Sequence, residues 1–93
     1  MAATPIAVFI KDPNAVLDYA LDWTKWLEGD TLVSGTWTID AGPTIASQNV
    51  SAGIVTMWLS GGVDGVSYAA VCRVVTTGGR TEDRTISIQV RER

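Results

Sequence analysis

From Thr31 onward the chain runs in short segments of period two, most of them closed by glycine-bearing turns, and that pattern commits it to sheet structure. In "TLVSGTWTI", Val33, Trp37 and Ile39 fall on one face with Gly35 between them, and Ser34, Thr36 and Thr38 lie opposite. "AGP" at 41–43 breaks that strand, and "TIASQNV" alternates weakly before stopping at "SAG". The run "IVTMWL" sets Val55, Met57 and Leu59 against Ile54, Thr56 and Trp58, and "SGGVDG" turns the chain. "YAAVCRVVT" then places Tyr68, Ala70, Cys72 and Val74 on one side, and Gly78-Gly79 marks a tight hairpin. In the last run, Ile86, Ile88 and Val90 point inward and Thr85, Ser87, Gln89 and Arg91 outward. Strands repeating every ~8–12 residues without intervening helices predict an antiparallel sandwich or barrel. Tyr68 opens the penultimate strand, where an immunoglobulin-type sandwich bonds a tyrosine hydroxyl back to the preceding loop. The alternative for Tyr68 is an ordinary half-buried side chain.

The stretch "KDPNAVLDYALDWTKWLEGD", Lys11 to Asp30, supports two readings. Asp12 suits a helix N-cap, Pro13 a first helical position and Gly29 a stop, with Val16, Ala20, Trp23 and Leu27 at helical spacing. Against this, Leu17, Tyr19, Leu21 and Trp23 alternate with Asp18, Ala20 and Asp22 as in a strand. A sandwich needs about seven strands, and residues 5–10 and 31–91 supply about six. Propensity leaves the two readings balanced.

With 93 residues the chain has room for one core, expected as a single domain over 1–93. Hydrophobic residues at 46% against 18% charged ones argue for a folded domain rather than disorder. No apolar run is long enough to span a membrane, and "MAATPIAVFIKDP" lacks the basic start and apolar core of a secretory signal. The net charge of −3 disfavours a nucleic-acid binder that neutralises phosphates. Charge is unevenly spread: residues 1–64 hold two lysines against seven acids, and residues 65–93 hold five arginines against three. Such halves can pair head to tail between copies.

Little here can carry chemistry. The absence of histidine removes the commonest general base and metal ligand. Cys72, the single cysteine, lies in an apolar run and reads as a buried structural thiol. Asp18 and Asp22 would be about 5–6 Å apart on a helix, close enough to share a metal or an acid–base role. On a strand they would be about 13 Å apart, too far for either. "GGVDG" lacks the lysine and following helix of a phosphate loop. "DPN" and "EGD" match no calcium-loop spacing, and "NVS" at 49–51 matters only in a secreted eukaryotic protein. Lys11 and Lys25 have no context that would make either a base. No catalytic, cofactor or metal site is expected.

The four tryptophans are the residues to examine for binding. Trp23 and Trp37 sit on the apolar sides of their runs and are expected in the core. Trp58 lies opposite Val55, Met57 and Leu59, so one of those two faces must be left outside. Trp26 falls in a turn. Trp26 and Trp58 are therefore the candidate interface residues, able to anchor a protein contact or stack on a sugar.

The order "KDPNAVLDYALDWTKWL", "GDTLVSGTWTI", "VTMWLSGGVDGVSY", "TTGGRTEDRT" and "QVRER" resembles the small immunoglobulin-like structural proteins of tailed bacteriophages, known as fibre–tail adaptors or Ig-like virion proteins. The resemblance implies an immunoglobulin-like β-sandwich in which Leu17–Trp23 is a strand, with one short helical turn around Thr24–Leu27. It further implies a non-enzymatic protein made in the bacterial host cytoplasm and located in the virion. There it would be present in several copies and bind tail, connector or fibre proteins, with no nucleic-acid or membrane partner. A carbohydrate-binding module for bacterial surface glycans and a head-decoration protein are the alternatives that a sandwich fold leaves open.

Overall fold

The computed structural model describes residues 6–92, which form seven strands and one helical turn. These are β1 (Ala7–Lys11), β2 (Leu17–Asp22), α1 (Thr24–Leu27), β3 (Leu32–Ile39), β4 (Thr44–Ser51), β5 (Ile54–Ser60), β6 (Ser67–Thr76) and β7 (Thr81–Val90). They build two stacked sheets, ordered β1-β7-β6-β3 and β2-β5-β4, the strand arrangement of an immunoglobulin-like sandwich. One pairing departs from the expected antiparallel pattern: β1 runs parallel to β7. The strand expected over residues 5–10 lies at Ala7–Lys11; residues 1–5 and 93, covered by the single-domain expectation, fall outside the described residues.

The ambiguous stretch is a strand followed by one helical turn, and its capping signals serve other structures. Asp12 accepts the Asn14 amide on its side chain (2.8 Å) and the Ala15 amide on its carbonyl (3.0 Å), so Asp12-Pro13 makes a tight turn rather than a helix start. The stop signal is real but belongs to α1, after which Glu28 and Gly29 adopt positive φ. Period two prevails over 17–22 because β2 pairs along β5, burying Tyr19 and placing Asp18 and Asp22 on the exposed side.

Between the sheets the core is closed by Trp23, Trp37, Met57, Leu59 and Ile88, all fully buried, and by their buried neighbours. On β7, Ile86, Ile88 and Val90 face the core as expected, but Thr85, expected outward, is buried as well. On β6 the Tyr68, Ala70, Cys72 and Val74 side is the buried one, and on β5, where alternation left the choice open, it is Val55, Met57 and Leu59. Trp37 spans the gap: it pairs with Cys72 on β6, and its indole N–H donates to the Val55 carbonyl of the opposite sheet (3.2 Å). Gly35 precedes it on the same face because a Cβ there would stand 2.7 Å from a Val55 methyl. Val33, expected on this face, is instead 66% exposed. A bulge between Leu32 and Ser34 turns Val33 outward and puts Leu32 on the core side.

Three contacts tie the sequence's separate motifs together. Lys11, buried at the end of β1, donates its ammonium to the carbonyls of Asp12 (2.9 Å) and Gly61 (2.8 Å), joining "KDP" to "SGG". Burial lowers its pKa, and the Asp12 charge opposes that shift. The Tyr68 hydroxyl accepts the Val63 amide at 3.0 Å, so of the two readings the sequence allowed it makes the tyrosine corner. Gly42, at φ 136°, leaves room for that ring, since a Cβ would lie 2.6 Å from it. On the flank where β3 and β4 meet, Gln48 reaches across from β4. Its amide oxygen accepts the Trp37 N–H (2.7 Å) and its amide nitrogen donates to the Trp37 carbonyl (3.3 Å), occupying part of the β3 edge as a neighbouring strand would.

Tyr68→Phe should lower stability by about 1 kcal/mol by leaving the Val63 amide without its acceptor, read as a lower denaturation midpoint at unchanged slope. Gln48→Leu should cost about 1–2 kcal/mol in the same assay, because two backbone groups of β3 lose their partner. The Cys72 thiol is pushed up to about 11 by burial, against smaller opposing effects of Trp23 and Arg84. Its alkylation at pH 8 should therefore proceed no faster than global unfolding, and rapid labelling of native protein would contradict this core.

Candidate partner-binding surface

The outer face of the β2-β5-β4 sheet follows from its inner one. Val55, Met57 and Leu59 must face Trp37, so alternation sends Ile54, Thr56 and Trp58 outward down the middle strand. Trp58 is 44% exposed and Ile54 38%. Register sets their flanks: Asp18, Ala20 and Asp22 of β2 lie beside Trp58, Thr56 and Ile54, and β4 contributes Ser47, Asn49 and Ser51 on the other side. The central row thus carries Ile54 and Trp58 with Thr56 between them, one border is acidic and the other neutral and polar.

Electrostatics separate the two acids. Asp22 accepts the Thr24 hydroxyl (2.7 Å) and amide (2.9 Å), and these bonds, with the nearby Lys25 charge, hold its carboxyl below the usual range. The Asp18 carboxylate makes no hydrogen bond or ion pair among the described residues. Lysine and arginine are absent from β2, β4 and β5 alike.

Trp26 stands in a different environment. It is partly buried in α1, edge-on to Trp23 with ring centroids 5.2 Å apart, and the Arg80 guanidinium lies 4.2 Å above its ring. Arg80, from the β6–β7 hairpin, also donates to the Leu27 carbonyl (2.8 Å) and to the Asp30 carboxylate (3.3 Å), so it closes the end of α1. The Thr76 hydroxyl, the Thr31 and Gly78 amides and Arg80 together hold Asp30 below its ordinary value. The "GGR" and "EGD" segments are one latch. Arg84 similarly stacks over Trp23 at 4.3 Å, and Arg73 pairs with Asp83 at 2.8 Å. Three arginines of the tail half are therefore already engaged within the fold.

Of the two tryptophans singled out from sequence, Trp58 presents an uncovered ring beside an unpartnered acid, and Trp26 has one face occupied. The role of Asp18 escapes a reading of the chain alone. Its neighbour Trp58 is 40 positions away, and only the β2–β5 register brings the two together. Among the described residues no group of three or more Asp, Glu, Cys or His side chains is placed to hold a metal ion. No helix among them is long and apolar enough to cross a membrane.

Comparison with known proteins agrees with this architecture. The PKD domain from KIAA 1837 protein, determined in solution, superposes with a TM-score of 0.52 at 16% identity, covering 98% of this chain and 84% of that one. That likeness bears on the fold, an all-β immunoglobulin-like sandwich. No curated protein matches the sequence. The family described as Podophage GP4 fiber-tail adaptor protein gp77 matches over residues 11–89, a span holding both the Lys11–Gly61 tie and the Arg80 latch. With nearly the whole described chain inside that match, this protein belongs to the podophage GP4 fiber-tail adaptor family.

Proposed function

We propose that this protein is a non-enzymatic adaptor of the phage tail, linking tail or connector proteins to fibres through protein–protein contacts and present in several copies per virion. The observation that carries this reading is the outer face of the β2-β5-β4 sheet. It is a firmly backed sheet surface with an exposed apolar centre at Trp58 and Ile54 and polar borders, the layout of a docking patch. Membership of a fibre–tail adaptor family supports the same role. A surface held by a sandwich core suits an adaptor, because little ordering is required when the partner arrives.

Exposure of Trp58 beside Ser47 and Asn49 also gives the glycan-binding reading its one foothold, since an indole face bordered by hydrogen-bonding side chains can stack on a sugar. Flatness counts against it: the face is open sheet rather than the cleft that usually encloses a small ligand.

Purified protein mixed with purified connector and fibre proteins of its phage should co-elute with at least one of each, and virion mass spectrometry should find it at several copies. Absence from virions, with no binding to either class, would refute the adaptor role. Binding on a glycan array that Trp58→Ala abolishes would establish the sugar reading instead.

A further inference from the structure

We propose that Trp58 and Asp18 form a receptor for an arginine side chain, presented by the partner protein that docks on the β2-β5-β4 face. The inference deepens the adaptor reading and rests on it. Trp58 and Asp18 are direct cross-strand neighbours on the outer face, which sets their Cβ atoms about 5 Å apart. The ring is exposed, and the carboxylate has no hydrogen-bond or ion-pair partner among the described residues. A planar cation satisfies both groups: it lies on the indole face through cation–π attraction and directs its N–H fork at the carboxylate.

The fold already contains this arrangement, complete, elsewhere. Arg80 stacks over Trp26 at 4.2 Å and donates to Asp30 at 3.3 Å, a tryptophan and an aspartate holding one guanidinium between them. At Trp58 and Asp18 the aromatic and the acid are present without a cation. None of the three strands of the sheet carries a lysine or arginine, so no residue of that face can supply it. The face is therefore acidic and apolar, and its electrostatic complement is a basic side chain from another molecule. Arginine fits better than lysine, because only a planar guanidinium can stack and bond edge-on at once. Beyond Thr56 on the same strand Ile54 adds a second exposed apolar side chain, and Ser47 and Asn49 offer further hydrogen-bonding groups for the backbone that carries the arginine.

A titration of nitrogen-labelled protein with the blocked tripeptide Gly-Arg-Gly, followed by amide and indole resonances, tests this directly. The Trp58 indole and Asp18 amide signals should shift saturably. The lysine tripeptide should bind about fivefold more weakly, and the citrulline tripeptide, isosteric but uncharged, should not bind. Asp18→Asn should weaken arginine binding about tenfold, and Trp58→Leu should weaken it comparably, both leaving the remaining spectrum unchanged. Absence of a saturable shift at these positions, equal binding of the citrulline peptide, or a response of Trp58 to oligosaccharides alone would overturn the proposal. Failure of this site and failure of the adaptor role are separable. If Asp18→Asn and Trp58→Leu proteins bind connector and fibre proteins as the wild type does, the receptor falls and the adaptor stands. If the wild type takes the arginine peptide but binds no tail protein, the adaptor role falls.

Discussion

The position of Trp37 between the two sheets governs most of what this domain presents to the outside. The indole crosses the gap and donates to the Val55 carbonyl, and the tryptophan's own main chain is held by Gln48 from the neighbouring edge. Filling that space with one large ring has consequences on every side. Gly35 must lack a side chain where Val55 approaches, and β5 must turn Val55, Met57 and Leu59 toward the ring. The period of two then leaves no freedom for Ile54, Thr56 and Trp58, which go outward. An exposed tryptophan on the outer face is thus the counterpart of a buried one within.

Charge is allotted by the same logic. The arginine-rich end of the sequence and its acid-rich front suggest pairing between copies, and within the fold one such tail-to-front ion pair forms among the described residues. Arg80 returns to Asp30 and α1, and Arg84 covers Trp23. Arg73 meets Asp83 within its own hairpin, an exposed pair that contributes little to stability. The arginines are spent on the larger sheet and its hairpin. On the smaller sheet Asp22 is held by Thr24 and Lys25, while the Asp18 carboxylate has no partner among the described residues, and this asymmetry underlies the proposed site for an external cation.

A sandwich of this kind carries many unrelated jobs, and the PKD likeness identifies an architecture rather than a task. Family membership narrows the task to a structural adaptor of a podophage tail. The motifs that carry the family resemblance prove to be the scaffold: Lys11 with Gly61, Tyr68 with Gly42, and Arg80 with Asp30 each join two segments distant in sequence. The proposed docking surface lies between these ties, on side chains that the scaffold positions without using.

The sequence alone determined the strands from Thr31 onward, the inward Ile86, Ile88 and Val90 of β7 and the burial of Cys72, because each rests on alternation or composition within a few residues. The choice of inward face on β5 and the corner made by Tyr68 stayed open until the fold decided them. Local rules left Lys11–Asp30 balanced, since a capped amphipathic helix and a strand with a turn satisfy them equally, and the family resemblance pointed to the strand. The fold bears the strand out and supplies its physical reason, the demand of β5 for a partner strand. Only the tertiary structure decided the parallel pairing of β1, the bulge that exposes Val33 and the covering of Trp26 by Arg80. The meeting of Asp18 with Trp58 is the clearest case. Which acid stands beside which aromatic depends on strand register, and register is set by packing across the whole sheet rather than by any segment alone.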